Sequence, residues 1–276
     1  MSGQKGILTD VTKCIGCERC VQSCRMANNL GTVLPFRWLL DDGLSAVRWC
    51  SVLRKDNKFV RKQCMHCLQP ACVSACPVGA LQKTAEGPVI YDSGKCLGCR
   101  YCMMSCPFGI PRYDWESAVP FVRKCQMCYQ GRVSKGVQPG CTAGCPVGAT
   151  IFGDRDELLA EAHKRIAENP DRYLPTVFGE SEVGGTSVLY LAPMHLDILT
   201  LGNKLDERPM PGRTATAMSA VPIVFVGMGA LMTSVYWIIE RRMKNERDRA
   251  AKNGTLPTST HGHGAAGHHH DDGKEG

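Results

Sequence analysis

All but one of the seventeen cysteines stand in four runs: Cys14-x2-Cys17-x2-Cys20-x3-Cys24, Cys64-x2-Cys67-x4-Cys72-x3-Cys76, Cys96-x2-Cys99-x2-Cys102-x3-Cys106 and Cys125-x2-Cys128-x12-Cys141-x3-Cys145. Thiols so spaced can pair as disulfides, hold zinc or ligate iron-sulfur clusters. Disulfides fit poorly, because the count is odd, tight loops offer many competing pairings, and a chain of 276 residues needs no staples. Zinc ribbons use two C-x2-C pairs, and a single tetrahedral ion does not explain a third cysteine at x2 followed by a fourth at x3. A cubane does. A tight loop turns three thiolates toward one cluster, while the fourth cysteine points away to a neighbouring one.

The first and third runs have the bacterial ferredoxin spacing, and the second and fourth are the same device with a loop inserted before the third ligand. Cys76-Pro-Val-Gly-Ala recurs as Cys145-Pro-Val-Gly-Ala, with Gly79 and Gly148 suited to a sharp turn, and strands are expected over residues 80–83, 89–91 and 150–152. The second and third runs start only about 32 residues apart, the span of one closed two-cluster unit, so they are expected to pair, leaving the first and fourth to each other. The expected fold is α+β, with two bacterial-ferredoxin-like dicluster units nested one inside the other. Four [4Fe-4S] clusters are expected: A on Cys14, Cys17, Cys20 and Cys145; B on Cys24, Cys125, Cys128 and Cys141; C on Cys64, Cys67, Cys72 and Cys106; D on Cys76, Cys96, Cys99 and Cys102. Cys50 is left over, and a buried free thiol is expected there. Arg25, Lys95, Arg100, Arg123 and Lys124 stand near ligands, where positive charge would raise cluster potentials.

The formal charge of +7 takes every thiol as neutral. Each oxidised cluster with its thiolates carries roughly −2, so four would bring the chain near neutrality. Hence the basic residues do not imply a nucleic-acid partner. Nothing outside the cysteine runs forms a nucleotide loop, an acid-base pair or an activated nucleophile. The chain is expected to be non-catalytic, with reaction chemistry on another subunit.

The elements that must carry these residues divide the chain into a cluster domain over residues 1–153, an amphipathic helix and extended arm over 154–213, a transmembrane helix over 214–239, and a basic, then His- and Gly-rich disordered tail over 240–276. Asp154 followed by Glu157 reads as a helix start, with Leu158, Leu159, Ala162 and Ile166 at helical spacing before Pro170. Residues 214–239 carry no charge, and at about 1.5 Å per residue they exceed a hydrocarbon core about 30 Å thick. Tyr236 and Trp237 close the run as interfacial aromatics, and Pro222 near its start is a kink site. Lys204, Arg208 and Arg213 precede the span, whereas Arg241, Arg242, Lys244, Arg247, Arg249 and Lys252 follow it. That imbalance predicts a cytoplasmic C-terminus and a periplasmic cluster domain in a single-pass inner-membrane protein. No signal peptide precedes Cys14, so export would depend on a partner's signal.

With these four runs and a C-terminal anchor, the chain resembles the four-cluster electron-transfer subunits of membrane oxidoreductases. They include the beta subunit of respiratory formate dehydrogenase and the HybA-type subunit of uptake hydrogenase. Arg61-Lys62-Gln63-Cys64-Met65-His66-Cys67, Cys99-Arg100-Tyr101-Cys102, Ile151-Phe152-Gly153-Asp154 and the segment from Gly184 to Tyr190 look most like the hydrogenase type, and the likeness runs from about residue 7 to 240. It departs in one respect, since HybA-type subunits carry a twin-arginine leader. The resemblance implies a relay between a catalytic subunit, a nickel-iron hydrogenase first and a formate dehydrogenase or other molybdopterin enzyme as the alternative, and an integral membrane quinone-reactive or cytochrome b subunit. In nitrate reductase relatives a tryptophan replaces one ligand of the third run; here Cys99 is intact, which implies that all four clusters are [4Fe-4S]. A reductase subunit drawing electrons from quinol is a competing function of the same class. A membrane-anchored zinc-binding interaction module is one of another class.

Overall fold

The computed structural model describes residues 3–31, 42–115, 121–200 and 205–254. In chain order its principal elements are β1 (Lys5–Asp10), α1 (Arg19–Ala27), β2 (Ser51–Lys55), β3 (Lys58–Lys62), α2 (Ala71–Ser74), β4 (Leu81–Lys83), β5 (Val89–Tyr91), α3 (Tyr101–Met104), β6 (Arg112–Tyr113), β7 (Val122–Arg123), α4 (Gly140–Ala143), β8 (Thr150–Asp154), α5 (Arg155–Glu168), β9 (Val188–Leu191) and α6 (Met210–Lys252). The chain separates into two units, Met1–Thr216 and Ala217–Gly276.

The first unit is organised on a sheet of order β8-β1-β9, antiparallel between β1 and β8 and parallel between β1 and β9. Alternate residues of a strand point to opposite faces. Ile7 of β1 and Val188 and Tyr190 of β9 therefore enter the core that also holds Cys24, Cys64, Cys125 and Cys141. Leu8, Leu189 and Leu191 face the other way, onto Leu158 and Ala162 of α5. Because both faces are covered, β9 is apolar at every position, the pattern of a doubly buried parallel strand.

That placement corrects the expectation of an extended arm. Residues 171–200 belong to the cluster-bearing unit, which does not end near residue 153. The physical reason is backbone pairing, which the apolar stretch alone does not reveal. Besides its ladder with β1, this segment bonds to the second cysteine run through Ser187 N–H to His66 O at 3.2 Å, Val188 N–H to Met65 O at 3.2 Å and Leu68 N–H to Gly185 O at 3.0 Å.

Two further expectations are adjusted. Helix α5 forms where its apolar spacing predicts, but the Asp154 carboxylate makes no cap hydrogen bond; it pairs instead with Lys5 Nζ at 2.8 Å across the β1–β8 ladder. The anchor helix is longer than residues 214–239. α6 runs without a break past Pro222 and through the basic residues as far as Lys252, about 65 Å at 1.5 Å per residue. It is long and apolar enough to cross a membrane, with Arg241 stacked 5.2 Å over the Trp237 ring. The histidine-rich tail and Lys204 lie outside the described residues.

The expected strands appear as β4, β5 and β8. The hairpin of β2 and β3 was not anticipated. Its two-residue loop, Asp56-Asn57, has φ of 48° and 60°, the left-handed pair of a type I′ turn that matches strand twist.

Candidate metal centres

In each cysteine run the third cysteine sits on a short helix (Cys20 on α1, Cys72 on α2, Cys102 on α3, Cys141 on α4), and the fourth follows four positions later. In α1 both cysteines lie on the helix, one turn or about 6 Å apart along its axis, whereas Cys76, Cys106 and Cys145 stand two residues past the ends of α2, α3 and α4. Helices α1 and α4 lie against each other because Gly140 and Gly144 have no side chain. A Cβ on Gly140 would stand 2.7 Å from Ala27 Cβ, and one on Gly144 would stand 2.0 Å from Ser23 Oγ. After the fourth cysteine the chain turns sharply at Gly79, Gly109 and Gly148, each with φ near 60°.

The first and fourth runs meet. The thiols of Cys14, Cys17, Cys20 and Cys145 line one small cavity with Arg61 in its wall. Burial pushes the Cys24 thiol well above its ordinary pKa, and the nearby Cys125, Cys141 and Cys128 push it further. Asn28 Nδ2 spans this second group, standing 3.8 Å from Cys24 Sγ and 3.4 Å from Cys128 Sγ. The second and third runs meet likewise. Cys67 is raised by burial and by Cys106, Cys64 and Cys72, while Cys102 is pushed up to about 11 by burial and by Cys96, Cys99 and Cys76. Cys145 is thus near the first run, Cys24 near thiols of the fourth, Cys106 near those of the second and Cys76 near those of the third.

The groups also adjoin one another. Cys20 acts on Cys141, Cys64 acts on Cys125, and Cys102 acts on Cys72, which burial chiefly pushes up to about 12. All four thiols of the B group are buried, whereas Cys17 in A and Cys99 in D are exposed. Apolar side chains beside those two are exposed as well, Ile15 near Cys17 and Leu97, Tyr101 and Met104 near Cys99.

Several features fit these groups to iron-sulfur clusters. Backbone N–H groups point at ligand sulfurs: Ala80 to Cys76 at 3.2 Å, Met127 to Cys125 at 3.3 Å, Gly98 to Cys96 at 3.4 Å and Ile110 to Cys106 at 3.5 Å. Such bonds stabilise thiolate and tune cluster potential. Two buried donors, Nε and Nη1 of Arg61, have no protein partner, as expected beside an anionic group.

Of the basic residues singled out from sequence, only Lys124 is buried, and its Nζ donates to Val89 O and Cys125 O. Arg25 donates to Gly31 O, Lys95 pairs with Asp92, and Arg100 lies over the rings of Tyr113 and Trp115. Three groups were missed. Arg61 is buried beside Cys20 and Cys141. Lys83 reaches the C group, where it donates to His66 O while Cys67 and Cys64 act on it. His66 is buried, accepts the Val89 N–H at Nδ1 at 2.9 Å and is held neutral by burial and by Lys124 and Lys83. Their charge or polarity within alternating strand and loop residues gave no sign of what they would face. Cys50 is buried as expected, but it is not isolated: its thiol hydrogen-bonds Cys20, which together with Arg61 and against burial draws Cys20 down to about 6.

Comparison with known proteins agrees with this chemistry. The 4Fe-4S dicluster domain family matches residues 55–155. A protein of Nitratidesulfovibrio vulgaris is 39% identical over 90% of this chain and 70% of its own length. The hydrogenase-2 operon protein HybA of Escherichia coli O157:H7 is 35% identical over 88% of this chain and 86% of its own. The formate dehydrogenase-O iron-sulfur subunit of Escherichia coli K12 is 35% identical over 81% and 78%.

Proposed function

Since this chain belongs to the family of 4Fe-4S electron-transfer subunits that includes HybA and the formate dehydrogenase iron-sulfur subunits, we propose that it relays electrons through four [4Fe-4S] clusters held by the A, B, C and D thiol groups. Each cluster, when bound, accepts and returns one electron at a time. The chain's own part is to set the order of the sites, to keep water from the inner ones and to leave the outer ones within a partner's reach. The observation that supports the proposal is that thiols of different runs act on one another, Cys20 on Cys141, Cys64 on Cys125 and Cys102 on Cys72. The exposed loops at Cys17 and Cys99 are then the entry and exit, one facing a catalytic subunit and the other an integral membrane quinone-reactive or cytochrome b subunit.

A nickel-iron hydrogenase is the catalytic partner we favour, supported by the likeness to HybA. A formate dehydrogenase or related molybdopterin enzyme is the second candidate, supported by the relatives of that kind. Membrane complexes captured through a tagged copy of the chain should contain nickel in the first case and molybdenum in the second. Capture of neither metal, from cells that express both enzymes, would remove the relay between them.

α6 supplies the anchor in this proposal. With Arg208 and Arg213 before the apolar run and Arg241, Arg242, Lys244, Arg247, Arg249 and Lys252 after it, the C-terminus is cytoplasmic and the cluster unit periplasmic. A reporter active only in the cytoplasm, fused after Gly276, is expected to work. Activity of only a periplasmic reporter at that position would reverse the orientation.

A further inference from the structure

We propose that Arg61 is a shared electrostatic bridge between cluster sites A and B, a buried fixed charge that holds the potentials of both clusters up together. The inference rests on the four-cluster relay proposed above. Arg61 is the penultimate residue of β3 and is 1% exposed. It is tied to the central sheet at two points: Nη2 donates to Thr9 Oγ1 of β1 at 3.2 Å, and its own carbonyl accepts the Tyr190 hydroxyl of β9 at 2.7 Å. The guanidinium lines the cavity of the A thiols, and its charge acts on Cys141 of the B group.

A guanidinium is not buried without a counter-charge. Among the described residues no carboxylate pairs with Arg61, whereas its neighbour Lys62 is matched to Asp42 at 3.0 Å. Nε and Nη1 are buried and lack any protein acceptor. The acidic groups that act on it are Cys141 of B, the non-ligand Cys50, Tyr190 and Cys20 of A, and with ligands of both sites among them both clusters supply the missing charge. Net charge and hydrogen bonds to sulfur are the levers that set cluster potential. A fixed positive charge favours the reduced, more negative state. Placed between two sites it raises both, which keeps either cluster from becoming a deep trap relative to the other.

The test is a redox titration followed by paramagnetic resonance on the full chain loaded with its clusters, comparing the native protein with Arg61→Met and Arg61→Lys. Clusters A and B are identified by their response to Cys145→Ser and Cys24→Ser. In Arg61→Met both are expected to shift at least tenfold toward the oxidised form, about 59 mV lower for a one-electron couple, with C and D moving much less. Arg61→Lys, which keeps the charge without the planar fork, should recover most of the shift. Unchanged A and B potentials in a fully loaded Arg61→Met protein would overturn the proposal. An equal drop in all four clusters would do so too, as the mark of general loosening, and so would a lysine variant as low as the methionine one. If Arg61→Met does not load, Arg61→Lys decides alone: near-native potentials at A and B support the bridge, and depressed ones reject it. Absence of four clusters from the native chain would instead refute the relay, whatever Arg61 does.

Discussion

Cys24→Ser is expected to alter the cluster bound by Cys125, Cys128 and Cys141 and to leave the cluster of Cys14, Cys17, Cys20 and Cys145 nearly native. Cys20 and Cys24 share helix α1, separated by one turn. Yet Cys20 lines the cavity of the first run, while Cys24 lies among the thiols of the fourth and shares Asn28 with Cys128. Helix α1 therefore passes between two sites, and a change at one turn is felt at the site on that side. Serine can still offer an oxygen, so the expected result is a shifted potential or loss of one iron to give a three-iron signal. The same exchange predicts that Cys76→Ser disturbs the cluster of Cys96, Cys99 and Cys102, and that Cys106→Ser disturbs that of Cys64, Cys67 and Cys72. Paramagnetic resonance on each variant, with relaxation between neighbouring clusters to identify which one changed, checks all three. A Cys24→Ser protein altered at Cys14, Cys17 and Cys20 would mean that each run is self-contained and the nested arrangement is wrong.

The second large effect concerns the metal itself. Purified anaerobically, the chain should carry about sixteen iron and about sixteen sulfide, as four cubanes require. Stripping them should unfold most of the Met1–Thr216 unit, because metal binding and folding are one equilibrium when the ligands form the core. Here they do: Cys24, Cys64, Cys125 and Cys141 are members of the main buried cluster. Helices α2, α3 and α4 have only four residues each, far below the length at which a helix holds itself together. Circular dichroism before and after chelation, alongside iron and sulfide assays, measures the effect. Stoichiometric zinc with little iron, or an apo form with undiminished structure, would contradict it.

The x2 and x3 spacings are properties of a few consecutive residues, because a tight loop and a single helical turn have only a few conformations. The cysteine sequence alone therefore pointed to clusters, and the exchange of fourth ligands followed from it. In the structure Cys145 lines the cavity of the first run, and Cys24 stands near the thiols of the fourth. The apolar face of α5 and the strands β4, β5 and β8 were legible for the same local reason. So was the hairpin loop Asp56-Asn57, a pair of residues whose left-handed preference marks the turn and which went unread.

Other features depend on groups distant in the chain. The apolar stretch around β9 is the same sequence whether it lies on an arm or in a sheet, and only its pairing with β1 and with the loop at His66 brings it into the core. Asp154 had two offers, a helix start and Lys5, and the register of β1 against β8 decided for the lysine. Arg61 read as one more basic residue in a run of them. Its burial came from the contacts of β3 with the central sheet through Thr9 and Tyr190, which left it, among the described residues, with thiols and no paired carboxylate around it. Composition and spacing determined what this chain binds. The order of the sites, and the charge each one feels, were decided by tertiary structure, because electrostatic fields depend on distance and burial and neither is written in the local sequence.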